Sequence, residues 1–158
     1  MKSWLIDKGG VYVLMQFALF GVIILAPGKF VGEWSAPLIL IGRVVGGVLF
    51  VYGVLAIGGG MLRLGRNLRA EPHPTDDATL ITSGFYRLVR HPIYSGIILG
   101  WTGWALFGGA ELTALLVIGL LFPFFHIKTR REEQMLLARF PEYASYQADV
   151  SKLMPYIY

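Results

Sequence analysis

The sequence predicts an all-α fold: a polytopic membrane helix bundle of about four transmembrane helices, followed by a C-terminal amphipathic helix at the interface. Three observations carry that prediction. Of the 158 residues, 55% are hydrophobic and only 15% charged, with a mean hydropathy of +0.59. One soluble domain of this length has too little interior to hide so much apolar surface, so lipid must cover it. The apolar residues fall into four runs separated by glycine, proline and charge, and the basic residues sit at the ends of those runs. That placement accounts for the net charge of +4 through membrane orientation and argues against a nucleic-acid partner. The absence of cysteine excludes disulfides and thiolate metal sites.

The first span covers residues 11–27, after a short polar start with Lys2 and Lys8, and ends at Pro27-Gly28. A cleaved leader is the competing reading, but no small-x-small site precedes a soluble domain, and further spans follow. A loop with Glu33 and Trp34 leads to Pro37, which opens the second span, 37–64. That run is long enough to cross with tilt. Its Gly42 and Gly46 have the small-xxx-small spacing that lets helices approach closely. The Gly58-Gly59-Gly60 run either packs the same way or admits a cofactor against bare backbone; packing is the favoured reading. Arg43 lies about two turns in from Pro37, within snorkelling reach of the interface.

Residues 65–91 form the longest polar segment, with Pro72, Pro74, Asp76 and Asp77 as turn formers. The third span, 92–107, carries Gly96 and Gly100; Gly108-Gly109 then turns into a fourth, 111–127, making an antiparallel hairpin. In the tail, 128–158, Met135, Leu136, Phe140 and Tyr143 lie close to one helical face. The whole chain, 1–158, reads as one membrane domain. With four spans, Lys2, Lys8, Arg63, Arg66, Arg69, Arg87, Arg90, Lys128, Arg130, Arg131, Arg139 and Lys152 share one side, against Lys29 alone on the other. The positive-inside rule then places both termini, and segments 65–91 and 128–158, in the cytoplasm of an inner or plasma membrane protein.

The densest chemistry lies where the third span begins. Tyr86, Arg87, Arg90, His91 and Tyr94 fall within nine positions, just before and inside the first turn opened by Pro92. A helix start offers free N–H groups and the positive end of a dipole. Such a place can hold an anion or a polar cofactor beside lipid; simple interfacial anchoring is the alternative for any single member. Arg90 and the helix start suit a carboxylate, Glu132 or Glu133 suits an ammonium or a ribose, and tyrosine faces suit a sulfonium or an adenine. At this level S-adenosylmethionine, ATP and NADPH fit nearly equally. His73, His91 and His126 lack metal-ligand spacing, so no metal is expected.

GFYRLVRHPIYSG, residues 84–96, resembles the RHPxYxG signature of the isoprenylcysteine carboxyl methyltransferase and phospholipid methyltransferase family of integral-membrane enzymes. The likeness extends upstream through Thr79 to Ser83, and downstream to Glu132-Glu133, Leu136, Phe140, Glu142-Tyr143, Tyr146 and Pro155. It covers Gly58 onward at most. The resemblance implies S-adenosylmethionine as cofactor, with Thr79, Leu80, Ile81, Tyr86, His91, Pro92, Ile93, Tyr94 and Glu132 lining its pocket; Arg90 and Glu133 join the expected cofactor-binding set on their own chemistry. Arg90 and Glu132 are the expected catalytic pair. Lys128 stands where the family places an arginine facing the lipid substrate, with Arg131 nearby, and both are expected to bind the acceptor.

Two departures, Ala78 in place of the usual histidine and FPEY in place of FGxEY, bear on the acceptor rather than the cofactor. The implied activity is isoprenylcysteine carboxyl O-methyl transfer, or the same chemistry on another prenylated or lipid acceptor entering from the bilayer. Phospholipid N-methylation is the first alternative. An NADPH-dependent membrane reductase sharing the HPxYxG stretch, as in sterol-reductase-type proteins, is the second, and a non-catalytic relic of the fold the third.

Overall fold

The computed structural model describes residues 10–26, 34–65 and 79–157. Outside them lie Lys2, Lys8, Pro27-Gly28, Lys29, Glu33, Arg66, Arg69, Pro72, His73, Pro74, Asp76, Asp77 and Ala78. The described residues form five α-helices and no strand: α1 (Gly10–Leu25), α2 (Ala36–Leu64), α3 (Pro92–Phe107), α4 (Glu111–Arg139) and α5 (Tyr143–Asp149). A 3-10 turn, Gly84–Arg87, precedes α3.

α2 and α3 pack antiparallel through backbone. The buried positions of α2 are Gly42, Gly46, Gly53, Ala56 and Gly60, a stripe of small residues at helical spacing. Gly53 meets Gly100 and the Gly96 carbonyl, and Gly46 meets Gly103 and Phe107. Of the Gly58–Gly60 run, Gly59 receives the Phe85 ring and Gly60 meets Pro92 and Ile93, while Gly58 faces open space. The opposite face of α2 leaves Leu38, Ile41, Val44, Val48, Val51 and Leu55 exposed, as expected of a surface covered by lipid.

Gly109, at φ +68°, reverses the chain into α4, a turn that any Cβ would strain. α4 is apolar over its first part and continues without a break through the polar tail residues to Arg139. The helix expected after Lys128 is thus an extension of the fourth span, and only α5 stands apart from it. Within α4, residues Val117–Leu121 form a π turn. Pro123 follows two residues later; its ring would clash with the carbonyl four residues back, Gly119, and the wider turn relieves that clash.

α1 closes the bundle against α3 and α4. Phe20 stacks on Trp101 at 5.5 Å, Tyr12 meets Phe124 at 6.4 Å, and Ile23 joins Ile98, Val117, Leu121, Phe125 and Leu153 in the core.

The α2–α3 seam yields a test. A Cβ on Gly46 would stand 2.6 Å from the Gly103 carbonyl oxygen, and backbone cannot give way as a side-chain tip can. Gly46→Leu should therefore cost at least about 1–3 kcal/mol and lower the thermal midpoint in detergent. The same change at Gly58, which meets nothing within 4 Å, should leave the midpoint close to that of the unsubstituted protein.

Candidate active site

The mouth of α3 is shaped by its own sequence. Gly84 adopts φ +66° beneath the Arg63 side chain, and its turn lays Phe85 on Gly59 and buries Tyr86. His91, ahead of Pro92, is kept out of helical geometry at φ −126° and caps the helix through its carbonyl, which accepts from the Ser95 N–H at 3.0 Å. The free N–H groups expected at this helix start are in part used by the chain itself. Arg90 N–H donates to the Ser151 carbonyl at 2.8 Å and His91 N–H to the Lys152 carbonyl at 3.2 Å, while Pro92 has no N–H to offer.

The tail is held there by one carboxylate. Glu133, 5% exposed, accepts from Arg90 Nε at 2.8 Å, His91 Nε2 at 3.1 Å, Gln147 Nε2 at 3.2 Å and Lys152 Nζ at 3.3 Å, with the Tyr143 hydroxyl at 3.5 Å. Arg90 also donates through Nη1 to the carbonyls of Gln147, at 2.9 Å, and Val150. Its guanidinium, nominated for a ligand carboxylate, is thus committed to Glu133 and to tail backbone. Tyr146 donates to the Tyr86 carbonyl, pinning α5 to the turn. Burial pushes the hydroxyls of Tyr86, Tyr143 and Tyr146 well up from their ordinary range, so each is a neutral donor at physiological pH.

Glu132 faces elsewhere. Its Oε1 accepts from the Tyr94 hydroxyl at 2.7 Å, and its Oε2 lies 3.5 Å from His91 Nδ1. The imidazole therefore stands between the two neighbouring carboxylates, Nε2 towards Glu133 and Nδ1 towards Glu132. Tyr94 stacks between His91, at 5.8 Å, and Phe125, at 4.6 Å. The α3–α4 hairpin thus brings together the two ends of the motif, as its length and direction predict.

Lys128 is buried and donates to Gln16 Oε1 of α1 at 3.0 Å, with its ammonium 4.9 Å from the centre of the Tyr94 ring. Arg131 lies over Tyr12 of α1 at 5.8 Å. Thr79, Leu80 and Ile81 lead irregularly into the turn, Thr79 exposed and the other two half-buried; Pro92 is buried and Ile93 half-buried at the start of α3. A groove of about 680 Å³ opens between α4 and the tail, bordered by His126, Arg130, Gln134 and the Glu133 knot. Glu132 is not among the residues lining it. Among the described residues, no three of His, Asp and Glu gather as a metal site.

Sequence reasoning missed Gln147, Ser151, Lys152 and Gln16. Nothing in SKLMPYIY marks Lys152 as buried. Gln16 did leave a signal: apart from tyrosine, it is the one polar side chain of α1, and such a group in an apolar span needs a partner.

The family model of phospholipid methyltransferases matches residues 41–142. Among curated proteins, the chain is 28% identical over 149 residues to the cobalt-zinc-cadmium resistance protein CzcN of Cupriavidus metallidurans, covering 92% of this chain and 62% of that one. Among solved structures, the eukaryotic intramembrane Ras methyltransferase, isoprenylcysteine carboxyl methyltransferase, shares the fold. Its TM-score is 0.65 at 20% identity, over 96% of this chain and 53% of that one. The chain therefore spans rather more than half the length of either protein.

The knot around Glu133 predicts the behaviour of Arg90. Removing one partner of a buried ion pair leaves the other charge short of compensation, at a cost of about 3–5 kcal/mol. Arg90→Met should lower folding stability by that order in a denaturant titration in detergent, and adding Glu133→Leu should lower it further, because Lys152, His91 and Gln147 would then lose their acceptor as well. An Arg90→Met protein as stable as the original would mean that the guanidinium is not a structural tie.

Proposed function

The chain belongs to the phospholipid methyltransferase family, and from that premise we propose that it is an S-adenosylmethionine-dependent methyltransferase acting on a lipophilic acceptor within the bilayer, in the manner of isoprenylcysteine carboxyl methyltransferases. The observation that carries this reading is the placing of Glu132 beside Tyr94 and His91, across the hairpin, while its neighbour Glu133 ties down the tail.

The donor set fits the cofactor. Glu132 offers a carboxylate to an ammonium or a ribose diol, with Tyr94 and Tyr86 bordering the same place. When bound, S-adenosylmethionine supplies an electrophilic methyl group on a sulfonium. The residues of the chain supply the rest. Tyr94 and His91 fix the bearing of Glu132 in advance, so little side-chain freedom is lost on binding. Arg90 acts as a positioning residue, since it holds Glu133 and the tail carbonyls and so keeps His91 in place. Thr79, Leu80, Ile81, Pro92 and Ile93 form backbone and apolar walls of the same pocket, and Lys128 and Arg131 serve the acceptor side. In-line methyl transfer to a carboxylate needs alignment and exclusion of water more than acid–base help. The acceptor's tail enters sideways from the bilayer.

Calorimetry of the purified full chain against S-adenosylhomocysteine and NADPH tests the reading. Binding is expected for the first and absent for the second; the reverse result would point to a reductase. Glu132→Gln removes a charged hydrogen-bond acceptor worth about 1.5–3 kcal/mol, so affinity for S-adenosylhomocysteine should fall roughly 10- to 100-fold. Gln134→Ala, in the groove, and Glu142→Gln, at the start of α5, should leave it unchanged. A loss from Gln134→Ala equal to that from Glu132→Gln would move the cofactor into the groove.

The reading also requires the pocket to face the cytoplasm with both termini. A reporter fused after Tyr158 should be active on the cytoplasmic side; activity on the opposite side would overturn the four-span orientation.

A further inference from the structure

Past Lys152 the chain turns back towards the membrane. The Lys152 carbonyl accepts from the His91 N–H at the mouth of α3. The next residue, Leu153, is 1% exposed and belongs to the same buried cluster as Ile98 of α3 and Leu121 and Phe125 of α4, all inside the spans. Leu153 thus points down from the Glu133 knot into the apolar layer. Met154 and Pro155 are half-buried, and the Ile157 N–H closes a turn on the Met154 carbonyl at 3.2 Å. Tyr156, at φ +63°, is the one non-glycine residue with a positive φ among those described. A residue with a Cβ stays in that region only where its surroundings offset the strain. Packing within the protein does not supply the offset, because Tyr156 is 92% and Ile157 82% exposed. A closed turn keeps its ends within about 7 Å, so both residues stay roughly 11 Å or less from Leu153. That distance holds them at the membrane surface. A tyrosine and an isoleucine side by side, bare of protein at that depth, match a boundary that is wet on one side and apolar on the other.

We propose that the turn Met154–Ile157 is an interfacial membrane anchor. The Ile157 side chain enters the acyl boundary of the leaflet beside the knot, and the Tyr156 ring lies among its head groups; the partner is the lipid surface itself. The segment just before the turn presents the Ser151 and Lys152 carbonyls to the N–H groups of Arg90 and His91. Fixing the turn in lipid therefore steadies the mouth of α3 from outside the protein, at a point that the knot alone leaves to side-chain bonds. The anchor goes beyond the methyltransferase reading and does not depend on which ligand the site takes.

The chain holds no cysteine, so a single nitroxide can be placed on it without other changes. The label goes on Ile157→Cys in the full chain, reconstituted in vesicles of phosphatidylcholine and phosphatidylglycerol. Val48→Cys, on the lipid face of α2, serves as the deep reference. Collisions with oxygen, compared with collisions with a water-soluble nickel chelate, read the depth of each label. The label at 157 should favour oxygen about three-fold or more over a label in water, and should lie shallower than the label at 48. Nickel collisions as frequent as those of a label in water would overturn the anchor. So would dipolar coupling between labels at 157, which would put a second copy of the chain on the turn. Amide exchange in the same vesicles reads the link to the site. Tyr156→Ser combined with Ile157→Ser should speed exchange at the Arg90 and His91 N–H groups about three-fold or more, with the α2–α3 seam still protected. Unchanged exchange at those two amides would overturn the link between the anchor and the site. Neither readout uses S-adenosylhomocysteine, so failure of the cofactor reading is distinguishable from failure of this one.

Discussion

Five donors converge on the carboxylate of Glu133, and the rest of the site depends on that convergence. They come from the mouth of α3, from α5 and from the chain beyond it, so one buried charge joins segments that are far apart in sequence. A carboxylate removed from water is costly unless its lone pairs are filled, and here three donors share Oε1 and two share Oε2. The same bonds set the imidazole of His91, which in turn faces Glu132. Adjacent glutamates on one helix point about 100° apart, which turns one towards the tail and the other towards Tyr94 and His91.

That arrangement needs a rigid base, and α2 supplies it with almost no side chain. Gly42, Gly46 and Gly53 meet α3 backbone to backbone, and Gly60 meets the Pro92 ring and the Ile93 side chain. Water drives no burial within lipid, so close approach and dispersion must hold the pair together. The seam ends at Pro92 and Ile93, the first turn of α3, so the mouth of that helix inherits its position from glycine packing below.

Much of this was legible in the sequence. Apolar runs mark the spans because the bilayer sets their length, and the Gly108-Gly109 turn marks the hairpin that returns Glu132 to His91. The different partners of Glu132 and Glu133 were not legible, because identical side chains one residue apart differ only in bearing. Arg90 read as a ligand-binding cation for a related reason: the groups that occupy it are mostly tail carbonyls, and backbone acceptors leave no mark in a sequence. The uninterrupted course of α4 was obscured by the polar residues after Lys128, which suggested a new element where there is only a new solvent.

The π turn at Val117–Leu121 bears on all of these assignments through helical phase. A turn closed by i→i+5 bonds takes up one residue more than an α turn, so every later side chain points where its predecessor would in a regular helix. Were that stretch to relax to α geometry with the sequence unchanged, Glu132 would take the bearing that Glu133 has now, and Arg131 would take that of Glu132. A cation would then face His91 and Tyr94. The exchange would arise more than ten residues away along the helix. In this protein, counting residues along the fourth span is part of specifying the charge of the site.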